Sequence, residues 1–165
     1  MPDRKTLERA AQDKREGKAP STQAGEFVRE EIEHIREGKH GARSPEQAIA
    51  IGLSKARRAG VDLPPPKTGT TSEKTRRSSE QAYTAGKKST KKTSTKRARA
   101  AERALKREPR STVSKKALSK HARTAAKRRS ASSRSASARK ATKTKGSAGQ
   151  SAAARKGART RARNN

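Results

Sequence analysis

Apolar residues recur at helical spacing only in the first third of this chain. Ala24, Phe27, Val28, Ile32 and Ile35 share one face, with Thr22 placed as an N-cap and Gly38 placed to close the C-terminus. That pattern predicts a helix over about 22–37. After a short polar loop, Ser44-Pro45-Glu46-Gln47 combines an N-cap serine, a proline at the first helical position and a glutamine at the third, the signature of a capping box. Ala48, Ile49, Gly52, Leu53 and Ala56 follow as a second apolar face, and Gly60 supplies a left-handed terminator, so a second helix is predicted over about 45–59. The two predict an antiparallel hairpin with a core of Phe27, Val28, Ile32, Ile35, Ile49 and Leu53, across whose open end Val61 and Leu63 fold back.

A hairpin of this size buries little, so association through it, with another copy for example, is expected. Asp3 to Lys18, with Leu7, Ala10 and Ala11, is a third candidate helix with a thin apolar stripe. Glu26, Glu30, Glu31, Glu33 and Glu37 on the first helix of the hairpin oppose only Arg29 and Arg36. They read as a solvated acidic face, or alternatively as a surface for the protein's own basic tail.

The pattern fades at Pro64-Pro65-Pro66, which stops any preceding helix. The remainder is built largely from Lys, Arg, Ala, Ser and Thr. Faint alanine and leucine stripes mark candidate helices from Lys96 to Glu108, ended by Pro109, and from Ser114 to Arg129. A period of 16 residues aligns Ser119, Ser135 and Ser151. It then aligns Arg123, Arg139 and Arg155, next Lys127, Lys143 and Arg159, and finally Arg129, Lys145 and Arg161. The first two basic positions of each copy stand at i and i+4, on one face of a helix. The expected organisation is a basic N-terminal segment (1–20), a helical hairpin (21–63), a flexible linker (64–95) and a basic tail (96–165).

Composition sharpens this picture. Hydrophobic residues make up 27% of the chain and charged residues 36%, with a net charge of +30. Such a chain cannot offset the roughly 1–2 kcal/mol per residue that ordering its backbone costs, so most of it is expected to be disordered alone. The fold class expected is therefore all-α: a small two-helix hairpin followed by a largely disordered, partly helical basic tail. Residues 1–63 hold 13 Lys/Arg and 11 Asp/Glu, whereas residues 64–165 hold 32 and 4, and no acid follows Glu108. Cations in this excess repel one another until a polyanion neutralises them, which makes nucleic acid the expected partner. The candidate contacts are Lys96, Arg97, Arg99, Arg103, Lys106, Arg107, Lys115, Lys116, Lys120, Arg123, Lys127, Arg128, Arg129, Arg134, Arg139, Lys140, Lys143, Lys145, Arg155, Lys156, Arg159, Arg161 and Arg163. They would bind by releasing condensed counterions, steeply dependent on salt and indifferent to base sequence. Phe27 and Tyr83 are the only aromatics, too few for stacking on single strands.

Other chemistry finds little support. The absence of cysteine removes disulfides and thiolate ligands. No apolar run approaches a membrane span of about 18 residues, and the first residues lead into no signal-like apolar stretch, so a soluble, cytoplasmic, nucleoid-located protein is expected. His34, His40 and His121 are spread along the chain and read as solvated or loop histidines rather than metal ligands. Gly38-Lys39-His40-Gly41 lacks phosphate-loop spacing and reads as a turn. The glutamates have no core to desolvate them for acid–base work, so no enzyme activity, cofactor, metal or small-molecule substrate is expected. Ser78, Ser79, Ser130, Ser132 and Ser133 lie beside basic residues and would lower the positive charge if phosphorylated.

The stretches Ser21-Thr22-Gln23-Ala24-Gly25-Glu26-Phe27-Val28-Arg29-Glu30-Glu31, Gly38-Lys39-His40-Gly41-Ala42-Arg43-Ser44 and Ala48 to Gly60 resemble a family of small basic bacterial proteins, a domain of unknown function often labelled DNA-binding. The resemblance covers roughly residues 5–66, and the tail is similar in composition to histone H1-type arms. It implies a histone-like, nucleoid-associated protein and transfers no individual functional residue. A ribosome-associated RNA-binding protein is one alternative, and an adaptor whose hairpin binds protein is another.

Overall fold

The computed structural model describes residues 2–88 and 94–163, without the side chains of 144 and 145. The described residues form eight helices and no strand: α1 (Arg4–Arg15), α2 (Pro20–Arg36), α3 (Pro45–Arg58), α4 (Glu73–Lys87), α5 (Thr95–Lys106), a short 3-10 turn (Ser111–Val113), α6 (Lys115–Arg128) and α7 (Ala131–Arg163). They divide into two units, Met1–His121 and Ala122–Asn165.

In the first unit, α2 and α3 form the antiparallel pair that the periodicity predicts. Helix α2 begins at Pro20, two residues before the predicted cap. Proline presets the helical φ and needs no donor at this position, while the Gln23 side-chain amide holds the Lys18 carbonyl at 2.9 Å. Gly38 ends α2 at φ +81°, with Lys39 N–H on the His34 carbonyl. At the start of α3, Ser44 Oγ accepts from Gln47 N–H at 3.3 Å, and Gln47 Oε1 accepts in return from Arg43 N–H at 2.7 Å, one residue earlier than in a strict capping box.

The pair packs closely because Gly52 removes a side chain where the helices cross. A Cβ there would lie 2.6 Å from Val28 Cα and 2.9 Å from Val28 N. Alanine would add up to about 1 kcal/mol of helix propensity, but the clash is with backbone, and overpacking of that kind costs about 1–3 kcal/mol. Gly52→Ala is therefore expected to lower stability in denaturant unfolding, despite alanine's preference for helix.

Two apolar clusters hold this unit. Ala10 of α1, Ala24 and Phe27 of α2, Ala56 of α3 and Val61 are buried together, with Leu53 and Leu63 packed on them. Ile35, Ala42, Ala48 and Val113 form the second, with Ile32 against it. Phe27 and Ile35 are fully enclosed, whereas Val28, Ile32, Ile49 and Leu53 are half-buried. In α1, Ala10 is inward, while Leu7 and Ala11 face out. Arg57 is buried as well. Its guanidinium donates to the carbonyls of Leu63 at 3.0 Å and Pro64 at 3.4 Å, fixing the chain that folds back.

The expected two-helix hairpin with a disordered tail is corrected by this architecture. Residues 73–87, assigned above to a flexible linker, form α4, which packs on α3 through buried Ala82. A Cβ on Gly86 would meet the Arg57 carbonyl oxygen at 1.9 Å. Small residues at close approach supply this contact, and a count of large hydrophobics does not register them. Ser72 caps α4 by accepting from Thr75 N–H.

Farther along, residues 105–113 form a strap over the α2–α3 turn. Gly41 N–H donates to the Leu105 carbonyl at 2.9 Å and Ala42 N–H to that of Pro109 at 3.1 Å, while Thr112 Oγ1 donates to the Ala42 carbonyl at 2.9 Å. The Arg36 guanidinium donates twice to the Val113 carbonyl, at 3.1 and 3.2 Å. Val113→Ala should cost about 2 kcal/mol, felt by the strap more than by the helices. Amide exchange over 110–114 is expected to accelerate about 30-fold while α2 and α3 keep their protection.

In the second unit, α7 is interrupted at Gly146 (φ +66°, ψ 175°), leaving a helical segment on either side. None of the described side chains of α7 is buried, so its turns rest on backbone hydrogen bonds and local side-chain contacts. Ser137, Thr142, Ser151 and Thr160 each donate to the carbonyl four residues earlier. Composition suggested disorder because it measures burial. Alanine, lysine and arginine are nevertheless strong helix formers, and local propensity prevails over these residues.

Candidate nucleic-acid interface

Every described residue of the predicted contact set is exposed, and all of them lie on or beside α5, α6 and α7. On α5, Lys96, Arg99, Arg103 and Lys106 follow at i, i+3, i+7 and i+10, forming one cationic face beside Arg107, while Arg97 lies off that face. Glu102 sits at its edge and pairs with Lys106 at 2.9 Å. The hydrogen bond from Lys106 holds the Glu102 carboxyl below its ordinary range. One cation of this face is thus partly neutralised within the protein.

The start of α6 is anchored to the first unit. Ala117, Leu118 and His121 are half-buried, and His121 Nδ1 lies 2.7 Å from Glu46 Oε1. Glu46 is lowered in pKa first by the N–H at its helix N-terminus, then by Ser44 and His121. With that side of the helix engaged, Lys116 and Lys120, one turn apart, remain in solvent, as does Lys115.

In the second unit the 16-residue repeat coincides with the helix breaks. Arg123 and Lys127 lie at i and i+4 in α6, with Arg128 beside them. Arg139 and Lys143 stand likewise before Gly146, with Lys140 next to them, and Arg155 and Arg159 after it, with Lys156 adjacent. Arg163 extends the third pair by another turn, and Arg161 lies off that stripe. Each copy thus presents two cations about 6 Å apart along a helical segment. Lys145 lies within α7, but its side chain is outside the described residues.

In the second unit, Arg129 and Arg134 are partly engaged internally. Arg129 donates to Ser133 Oγ at 3.1 Å and to the Ser133 carbonyl at 3.2 Å, and also contacts Ser137 Oγ; Arg134 donates to the Arg129 carbonyl at 3.2 Å. Both remain exposed, with fewer donors to offer.

Sequence reasoning missed a second set of residues. Glu30 and Glu31, read above as part of a solvated or tail-binding face, are buried between α2 and α3 against Lys55, whose Nζ lies 2.7 Å from Glu31 Oε2 and 3.5 Å from Glu30 Oε1. His34 and His40, read as scattered, converge on these carboxylates because the turn at Gly38 returns the chain over α2. The signal was the Glu31-Ile32-Glu33-His34 spacing, which puts an acid and a histidine on one helix face, followed at once by Gly38-Lys39-His40.

These features define an all-helical, strongly basic protein with cationic helices exposed to solvent. Residues 4–67, covering α1 to α3 and the chain that folds back from them, match the model of a family of unknown function (DUF6496). No curated protein and no solved structure matches the chain. Among the described residues, no helix is long and apolar enough to cross a membrane.

Proposed function

We propose that this protein binds nucleic acid through the phosphate backbone, without reading sequence, using the cationic faces of α5, α6 and α7. One observation carries the proposal: residues 64–165 hold 32 Lys/Arg against 4 acids, and the described cations among residues 96–163 are in solvent. No acid follows Glu108, so the stretch from Pro109 onward carries 18 Lys/Arg and no Asp or Glu. A polyphosphate supplies the missing charge, and the condensed cations it releases provide the driving force.

Duplex DNA is the favoured polymer. An α-helix with its side chains is about 10–12 Å across and fits the B-form major groove, about 12 Å wide, whereas the A-form major groove is too deep and narrow to enter. Short alanine, serine and threonine side chains flank the bases, so contacts stay with phosphates rather than base edges. Helical segments broken at Gly146 and between α6 and α7 would engage separate stretches of duplex, the requirement for condensing DNA in a nucleoid.

The test compares duplex DNA, duplex RNA and single strands at two salt concentrations. Tightest binding to duplex DNA, with unrelated sequences equal, is the expected result. A preference for RNA, with the protein sedimenting with ribosomes, would replace DNA by RNA as the partner. Absence of binding to any of these polymers would overturn the proposal.

A further inference from the structure

The histidine and carboxylate cluster under the α2–α3 turn contains a conflict that a neutral His40 does not resolve. His40 Nδ1 lies 3.0 Å from the Gly41 carbonyl oxygen, which can only accept, so Nδ1 carries the hydrogen. A neutral His40 then turns the bare lone pair of Nε2 toward Glu31 Oε1 at 3.3 Å. Glu31 is completely buried, and its Oε1 receives no hydrogen bond. Two acceptors facing each other in a dry site repel, and the arrangement requires a positive group between them.

Local charge points the same way. Asp3, Glu30 and Glu31 surround the cluster, with Asp3 Oδ2 3.3 Å from His34 Nε2 and Asp3 N–H donating to Glu30 Oε2 at 3.1 Å. Lys55 is the only permanent cation ion-paired to Glu30 or Glu31 among the described residues. Three carboxylates and one ion-paired ammonium leave the cluster short of positive charge when the histidines are neutral, because Lys39, the next cation within reach, is itself paired with Glu37 at 3.0 Å.

We infer that Glu31, His34 and His40 bind a divalent first-row transition cation such as Zn²⁺. One ligand atom from each lies within 4.8 Å of the others, close enough for a shared ion after small rotamer adjustments. Two imidazoles and a carboxylate are the donor types that Zn²⁺ takes, at about 2.0–2.2 Å. The groups that orient these ligands are already in place. Gly41 fixes the His40 tautomer so that Nε2 is the donor, and Lys55 holds Glu31 Oε2, leaving Oε1 for the metal. Glu31 and His34 come from α2 and His40 from the turn that anchors the 105–113 strap. The ion would pin that turn to the helix and act as a structural centre, independent of the nucleic-acid reading.

Zn²⁺ titrated into the full chain at pH 7.5, without phosphate or nucleic acid, tests this by equilibrium dialysis and by NMR of the histidine side chains. One Zn²⁺ per chain is expected, shifting the resonances of His34 and His40 but not those of His121. His40→Ala and His34→Ala should each weaken binding at least tenfold, whereas His121→Ala should leave it unchanged. If the alanine variants unfold, the wild-type resonances decide. The inference is overturned if no Zn²⁺ binds, if the shifts fall on His121, or if both histidines are imidazolium at this pH and unmoved by Zn²⁺. A proton would then be the missing positive charge.

Discussion

Replacing Arg123, Lys127, Arg139, Lys143, Arg155 and Arg159 together by glutamine is expected to reduce the salt slope of duplex DNA binding by about 5. Each phosphate contact contributes about 0.9 to the slope of log K against log salt, so six lost contacts remove most of the slope near −9 that ten would give. Glutamine keeps the helix propensity of the residues it replaces, so circular dichroism should show the helices retained. The six residues are the paired cations of the three repeats, carried on helical segments of α6 and α7. Six substitutions among basic residues of the first unit, Arg4, Lys5, Arg9, Lys14, Arg15 and Arg29, should alter the slope far less. Equal effects of the two sets would show that net charge alone matters and that the repeats do not.

Phe27→Ala should remove about 3–5 kcal/mol from the first unit, the range for deleting an enclosed aromatic. Phe27 is the only phenylalanine in the chain, is 1% exposed, and joins α1, α2, α3 and Val61 in one cluster whose other buried members are small. A unit of this size has a total stability of only about 5–15 kcal/mol, so a large share of it would be lost. Thermal melting followed by circular dichroism should show a lower midpoint for the first unit, with α7 little altered because none of its described side chains is buried. DNA affinity at low salt should persist, since the exposed cations need no core.

The hairpin was legible because its signals are local. Ser44-Pro45 with Gln47, the glycines at 38 and 60, and the spacing from Ala24 to Ile35 each act within a few residues. What the sequence concealed depends on distant pairing. Val113 reads as an isolated apolar residue in a basic tract, and only the fold places it with Ile35, Ala42 and Ala48. Helix α4 was hidden because Ala82 and Gly86 pack by being small, which hydrophobic counting ignores. Glu30 and Glu31 looked solvated because their partner, Lys55, lies on the next helix. The cationic positions were legible throughout, whereas their seating on broken helical segments follows from alanine propensity and Gly146.

The most direct test of the backbone-binding account is the affinity of the full chain for two unrelated duplexes of equal length as sodium chloride rises from 50 to 200 mM. Backbone binding predicts parallel log–log lines and a loss of about 10³–10⁵ in affinity for both. Binding that is flat across this range, or that favours one duplex by orders of magnitude, would contradict it.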